Sequence, residues 1–154
     1  MRVLDLGAAP GSWSLYLGRA VGRSGSVLAI DLQPIGIALP PNVRTLCGSA
    51  DDLREAIRAE GPFDLVVSDM APSTMGDRAT DQARSFDLFS LAAGIAIDVG
   101  RAGSSFAGKL FHGPSFEEAR EMVRAAYGTV RVIRPKATRS ESYEIFLAGL
   151  DRRA

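Results

Sequence analysis

The sequence predicts an α/β fold: a seven-stranded, mostly parallel sheet with an antiparallel last strand and helices on both faces. Three observations lead there. Short apolar runs alternate with amphipathic stretches from one end of the chain to the other. The apolar runs are nearly continuous, as in strands buried on both sides. No helical stretch separates the last two runs, which suggests an antiparallel ending.

The elements follow in order. Val3 to Leu6 reads as a strand cut off by Gly7. A helix is expected from about Ser12 to Ala20, with Trp13, Tyr16, Leu17 and Ala20 on one face. Gly22 and Gly25 punctuate the chain before a second strand, Val27 to Ile30, which ends at Asp31. Pro34, Pro40 and Pro41 forbid regular structure until a third strand, Val43 to Cys47. Asp51 to Ala59 has Leu53, Ala56 and Ile57 at helical spacing. A fourth strand, Phe63 to Val67, runs straight into Ser68-Asp69-Met70-Ala71-Pro72. After a polar loop, a long helix is expected from about Arg78 to Val99, ended by Gly100 and Gly103. The remainder predicts a strand at 104–111, a helix at 116–127 and strands at 130–133 and 143–150.

The bulk properties narrow the function classes. A length of 154 residues fits one compact domain, residues 1–154. The chain is 46% hydrophobic and 23% charged, with a formal net charge of zero, so no global positive field advertises a polyanionic partner. A local basic stripe can still serve one. Sixteen arginines stand against two lysines, Lys109 and Lys136. Cys47 is the only cysteine, which excludes a disulfide framework and a cysteine zinc cluster. No metal site is expected. No apolar run reaches membrane-spanning length and no signal peptide is visible, so the expectation is a cytoplasmic protein without membrane contact.

In open α/β sheets, ligands sit beyond the carboxyl ends of the strands, near the switch in strand order. The first such end is Asp5-Leu6-Gly7-Ala8-Ala9-Pro10-Gly11-Ser12-Trp13, where Gly7 and Gly11 let backbone approach a ligand. The spacing is not that of a dinucleotide fingerprint, and Pro10 stiffens the loop in a way that suits a nucleoside better than a pyrophosphate. Asp31, 20 residues after Gly11, stands where a carboxylate accepts hydrogen bonds from ribose hydroxyls. Asp69 follows an apolar strand and should point into the crevice. Lys109 interrupts the apolar run Phe106 to Phe111 near its end, a position where it would meet Asp69 across neighbouring strands. Glu144 lies between Tyr143 and Ile145 in the last strand.

These segments, together with Lys109-Leu110-Phe111 and the run Arg134 to Glu144, resemble the FtsJ/RrmJ ribose 2′-O-methyltransferases over nearly the whole chain. The resemblance implies a Rossmann-like fold, S-adenosyl-L-methionine as methyl donor and an RNA ribose as acceptor, with large-subunit ribosomal RNA as the substrate of bacterial members. Carried over by position, it implies that Gly7, Ala8, Pro10, Gly11 and Trp13 hold the donor and that Asp31 binds its ribose. Asp69 would also reach the donor, and Ser49 stands where the family usually has an acidic residue near the adenine, with Asp51 as a possible substitute. Asp69, Lys109 and Glu144 would be three of the family's four Lys-Asp-Lys-Glu catalytic residues.

The first of those lysines belongs to a helical segment ahead of the first strand, whereas here Met1 and Arg2 lead directly into that strand. Apolar surface on the central first strand is therefore expected to lie bare, with marginal stability or association as the consequence. RNA contact is expected from Arg78 and Arg84 after the Asp69 loop, and from Arg134, Lys136 and Arg139 before the last strand, with the ribosomal RNA or the large ribosomal subunit as partner. Lys109 would stabilise the developing alkoxide as a cation, or take the proton in its neutral form. Two other readings remain: a donor- or RNA-binding homologue impaired by the empty lysine position, and a methyltransferase for an acceptor other than RNA.

Overall fold

The structure, a computed structural model, describes residues 1–136 and 143–154. Its strands are β1 (Arg2–Leu6), β2 (Ser26–Asp31), β3 (Val43–Cys47), β4 (Phe63–Ser68), β5 (Gly100–Phe111), β6 (Tyr127–Ile133) and β7 (Glu144–Arg152). Its helices are α1 (Ser12–Ala20), α2 (Arg54–Glu60), α3 (Arg78–Val99) and α4 (Phe116–Ala126). The sheet runs in the order β3-β2-β1-β4-β5-β7-β6. Pairing is parallel from β3 through β5, while β7 is antiparallel to both β5 and β6. Successive side chains alternate between the two faces of a strand, so the sheet separates two sets of residues.

One set forms the main core. Leu4, Leu6, Leu28, Ile30, Val66, Phe106, Leu110, Ile145 and Leu147 pack against Ile57 of α2, Phe89 and Ile95 of α3, and Val123 of α4. The other face carries Val3, Asp5, Val27 and Ala29, all buried, beneath α1. The central strand is therefore covered: Val3, Leu4 and Leu6 have no exposed surface, contrary to the expectation that its apolar residues would lie bare.

Helix α1 packs the other way round from its apolar periodicity. Its buried residues are Ser14 and Gly18, whereas Tyr16 is 71% exposed. The cause is close approach to the sheet. The Ser14 hydroxyl donates to Asp5 at 2.6 Å, and a Cβ on Gly18 would come within 2.5 Å of Val43. Only small residues fit that interface, which turns Tyr16 outward and leaves Trp13 half-buried at the side of the helix.

Boundaries differ at three other points. Helix α2 begins at Arg54 rather than Asp51, because residues 51–53 form a turn in which Asp51 pairs with Arg54 at 2.7 Å. Strand β5 begins directly at Gly100, with an irregular register against β4 between Phe63 and Leu65. Tyr127, read as the end of a helix, is instead the first residue of β6, paired with Arg152.

Candidate active site

The turn after β1 opens the first half of the site. Gly7 has φ +75°, and a Cβ there would come within 2.7 Å of the Met70 backbone nitrogen, so no larger residue fits without displacing the segment after β4. The Gly7 and Ala8 N–H groups both donate to the Ile30 carbonyl, at 2.9 and 3.1 Å, which ties this turn to the end of β2. Asp31 completes the tie: one carboxylate oxygen accepts from the Ala9 N–H at 3.0 Å and the other from the Gln33 N–H at 2.8 Å. Each oxygen keeps a lone pair for a further donor. Between these elements lies a cleft of about 280 Å³ bordered by Gly7, Asp31, Leu32, Gly48, Asp69 and Met70. That is near the lower end of small-molecule sites, roughly 300–1,000 Å³.

Beneath the turn, Asp5 is fully buried, with one oxygen bonded to Ser14 and the other without a hydrogen-bond partner among the described residues. Burial pushes its carboxyl up to about 6; the Ser14 hydrogen bond works against this, and the nearby carboxylates of Asp69 and Asp31 add to it.

The second half of the site lies one strand further across. Asp69 immediately follows β4, and Ser68 is in register with Gly108 of β5, so Lys109 emerges beside it. Because β7 runs antiparallel, its first residues arrive at this same edge of the sheet: Lys109 faces Phe146, and Phe111 faces Glu144. Directly opposed residues of an antiparallel pair share a face. The Lys109 Nζ lies 2.7 Å from Asp69 Oδ1 and 3.8 Å from Glu144 Oε2, and 6.0 Å from the centroid of the Phe146 ring. The lysine side chain is 15% exposed, so its ammonium is held among these groups rather than trailing in solvent. Three residues separated by 40 and 35 positions in sequence thus meet at the rim of the cleft.

The other sequence candidates divide. Gly7, Asp31 and Asp69 border the cleft; Ala8, Pro10, Gly11, Trp13 and Ser49 are not among its bordering residues. Gly11, at φ +118°, lies under Ile35 and Ile37, so its lack of a side chain serves packing of the loop after β2. The Ser49 hydroxyl accepts from the Asp51 N–H at 3.2 Å, and Asp51 is exposed. Trp13 turns towards the lysine side, stacked on Phe146 at 5.4 Å between centroids. Arg78 lies over the Tyr143 ring at 4.8 Å, Arg84 reaches the Met75 sulfur at 3.1 Å, and both arginines are exposed, as are Arg134 and Lys136. Arg139 lies outside the described residues.

Some supporting residues escaped the sequence reading. Asp81, 2% exposed, accepts the Met75 N–H at 3.0 Å and so anchors the segment after Asp69 to the first turn of α3. The buried Ser85 hydroxyl accepts the Phe111 N–H at 2.9 Å, fixing the strand end two residues beyond Lys109. An acid or hydroxyl in a helix is unremarkable by pattern; only its burial reveals the role. Among the described residues, no group of three or more His, Cys, Asp or Glu side chains is placed to hold a metal ion, and no helix is long and apolar enough to cross a membrane.

The family model described as FtsJ-like methyltransferase matches residues 1–152. The chain is 47% identical over 154 residues to a protein of Sorangium cellulosum named ribosomal RNA large subunit methyltransferase E, covering 99% of this chain and 73% of that protein. A protein of the same name from Myxococcus xanthus is also 47% identical, over 156 residues, with 99% and 73% covered. Among solved structures, a ribosomal RNA methyltransferase from Plasmodium falciparum superposes with a TM-score of 0.80 at 22% identity, covering 98% of this chain and 86% of that one. The fibrillarin pre-rRNA processing protein of Methanococcus jannaschii superposes with a TM-score of 0.75 at 16% identity, covering 99% and 67%. These structures share the Rossmann-like fold of the sheet described above. The chain belongs to the FtsJ-like methyltransferase family.

Proposed function

We propose that this protein transfers a methyl group from S-adenosylmethionine to a ribose 2′-hydroxyl of large-subunit ribosomal RNA, with residues 1–154 acting as one catalytic domain. The observation that carries the reading is the contact between Lys109 Nζ and Asp69 Oδ1, 2.7 Å, at the rim of a cleft floored by a glycine turn. Family membership and relatives whose names specify large-subunit ribosomal RNA support the acceptor. Such an acceptor fits the cytoplasmic placement expected from the sequence.

The residues present fit the donor. Gly7 lets the turn after β1 close directly on Met70, Asp31 keeps lone pairs for ribose hydroxyls, and Met70 and Leu32 supply apolar walls. When bound, S-adenosylmethionine supplies a methyl group already activated on a sulfonium. The protein's task is then to hold the acceptor oxygen in line and to favour loss of its proton, and alignment alone is worth several kcal/mol. Lys109 is the group that meets that oxygen: its ammonium stabilises the negative charge that develops as the proton passes to solvent water. Asp69 and Glu144 hold the ammonium in place from two sides, and Asp69 also borders the donor cleft, so one carboxylate fixes both halves of the site. Arg78, Arg84, Arg134, Lys136 and Arg139 contribute phosphate contacts in this reading.

The test is methyl transfer from tritium-labelled donor to large ribosomal subunits lacking the modification. Label should appear in a nucleotide whose 3′ linkage resists alkali, the signature of a blocked 2′-hydroxyl. Label confined to protein, or to a base of the RNA, would overturn the assignment.

A further inference from the structure

We propose that the outward stripe of α1, from Trp13 through Tyr16 to Arg19 and Arg23, is the track along which single-stranded acceptor RNA leaves the reacting ribose. The proposal rests on RNA as the acceptor and adds where the strand lies and what holds it.

Tyr16 of α1 faces away from the core, as Ser14 and Gly18 are the residues pressed on the sheet, and Trp13 lies half-buried at the side of the helix. Tyr16 is 71% exposed and presents its ring to solvent. Trp13, one helical turn before it, is stacked on Phe146, whose ring is 6.0 Å from the Lys109 ammonium. The two rings thus lead from the reactive lysine onto the helix surface. Such a series is what unpaired bases use, since aromatic stacking accepts any base face.

Charge continues the line. Tyr16, Arg19 and Arg23 are spaced i, i+3 and i+7, with Arg23 just past the end of α1. At 1.5 Å per residue, Arg19 is about 9 Å along the axis from Trp13. Both arginines are exposed, and neither has an ion-pair partner among the described residues. From Leu6 to Ala50, Asp31 is the only acidic residue, and it faces the donor cleft rather than this helix surface. Within this stretch of chain no other carboxylate opposes a phosphate. Arg19 and Arg23 also border an open cleft of about 780 Å³ with Pro40 and Asn42, which leaves room beside them for a backbone.

Kinetics on unmodified large ribosomal subunits test this with Tyr16→Ala, the double variant Arg19→Ala/Arg23→Ala, Trp13→Ala and Trp13→Phe. Binding of a fluorescein-labelled single-stranded RNA 20-mer is followed at several salt concentrations. Tyr16→Ala and Trp13→Ala should each lower kcat/KM about tenfold, carried by KM, while Trp13→Phe restores most of the loss. The double arginine variant should flatten the dependence of log affinity on log salt by about 0.7 for each arginine. The Tyr16 and arginine variants, all at exposed positions, should keep the S-adenosylhomocysteine affinity and the melting temperature of the unaltered protein. If the unaltered protein methylates RNA ribose while the Tyr16 and arginine variants keep its KM and salt slope, the track is wrong and the acceptor assignment stands. If the unaltered protein labels no RNA, both fall.

Discussion

Lys109 sits in a strand between buried Gly108 and Leu110, yet its ammonium has carboxylates on two sides and an aromatic ring nearby. In the proposed reaction its substitution separates chemistry from binding, since Lys109 does not border the cleft between β1, β2 and β4. Lys109→Ala should lower methyl transfer by about 10²–10³-fold, the span typical of losing one group that stabilises charge developing in the transition state. The dissociation constant for S-adenosylhomocysteine, read by calorimetry, should stay within about twofold; retained turnover would remove Lys109 from the mechanism. Asp5 makes a different kind of statement. Its carboxyl, pushed up to about 6 by burial, lies above its ordinary value of 3.8, so the native state binds that proton more tightly than the unfolded chain. The resulting stability is fully present below the ordinary value and is lost as pH rises from about 4 to 6. At 1.36 kcal/mol per pKa unit the loss is about 3 kcal/mol. Asp5→Asn cannot ionise. Urea unfolding should therefore show the variant gaining about 3 kcal/mol relative to the unaltered protein between pH 4 and pH 7, whatever its constant offset. A parallel pH profile for the two proteins would refute the buried titration.

At the scale of elements, what the sequence makes legible is set by how a residue advertises its surroundings. Asp69 and Lys109 are polar residues at the carboxyl ends of apolar runs, and a parallel sheet brings such ends to one edge, so their meeting could be read before the structure; Glu144 starts its strand, and the antiparallel run of β7 brings it there. The orientation of α1 could not. A helix buried through Ser14 and Gly18 defeats a reading that sends the apolar stripe inward, because close packing on β1, β2 and β3 selects for small size over apolarity. Gly100 and Gly103 read as a helix stop; α3 does end there, but the same glycines carry β5 through its irregular pairing, and glycine announces a stop and a bulge alike. Tyr127 satisfies the periodicity of a helix and of a strand equally, and only its pairing with Arg152 decides. Asp81 is the element-scale support whose loss should be felt at the site. It fixes the loop between β4 and α3 through the Met75 N–H, and that loop begins with the cleft residues Asp69, Met70 and Ala71. Asp81→Ala leaves that N–H without its partner, at a cost of about 1–3 kcal/mol. Denaturant unfolding should register the loss, and donor affinity should fall severalfold with it. Unchanged donor binding would show that the loop holds its shape without this anchor.

For the whole molecule, the sheet divides labour between its faces. The face beneath α2, α3 and α4 carries the larger apolar core, while the α1 face carries Asp5 and Lys109, and the cleft opens where the chain leaves β1 in one direction and β4 in the other. A ligand in that cleft touches the ends of β1, β2 and β4 together, and so bridges segments that must all be in place for it to bind. Binding to the native state alone stabilises by RT ln(1 + [L]/Kd), about 2.7 kcal/mol at one hundred times Kd. For a chain of 154 residues, each kcal/mol raises the melting temperature by about 2–4 °C. S-Adenosylhomocysteine at that concentration should therefore raise the melting temperature by about 5–10 °C. Gly7→Ala should abolish the shift at the same ligand concentration, since its Cβ would press on the Met70 backbone at 2.7 Å and at a φ of +75° that alanine resists. Adenosine alone should give a smaller shift, because it lacks the amino-acid portion of the ligand. A shift of full size in Gly7→Ala would mean that the ligand binds elsewhere than in the cleft between these three strand ends.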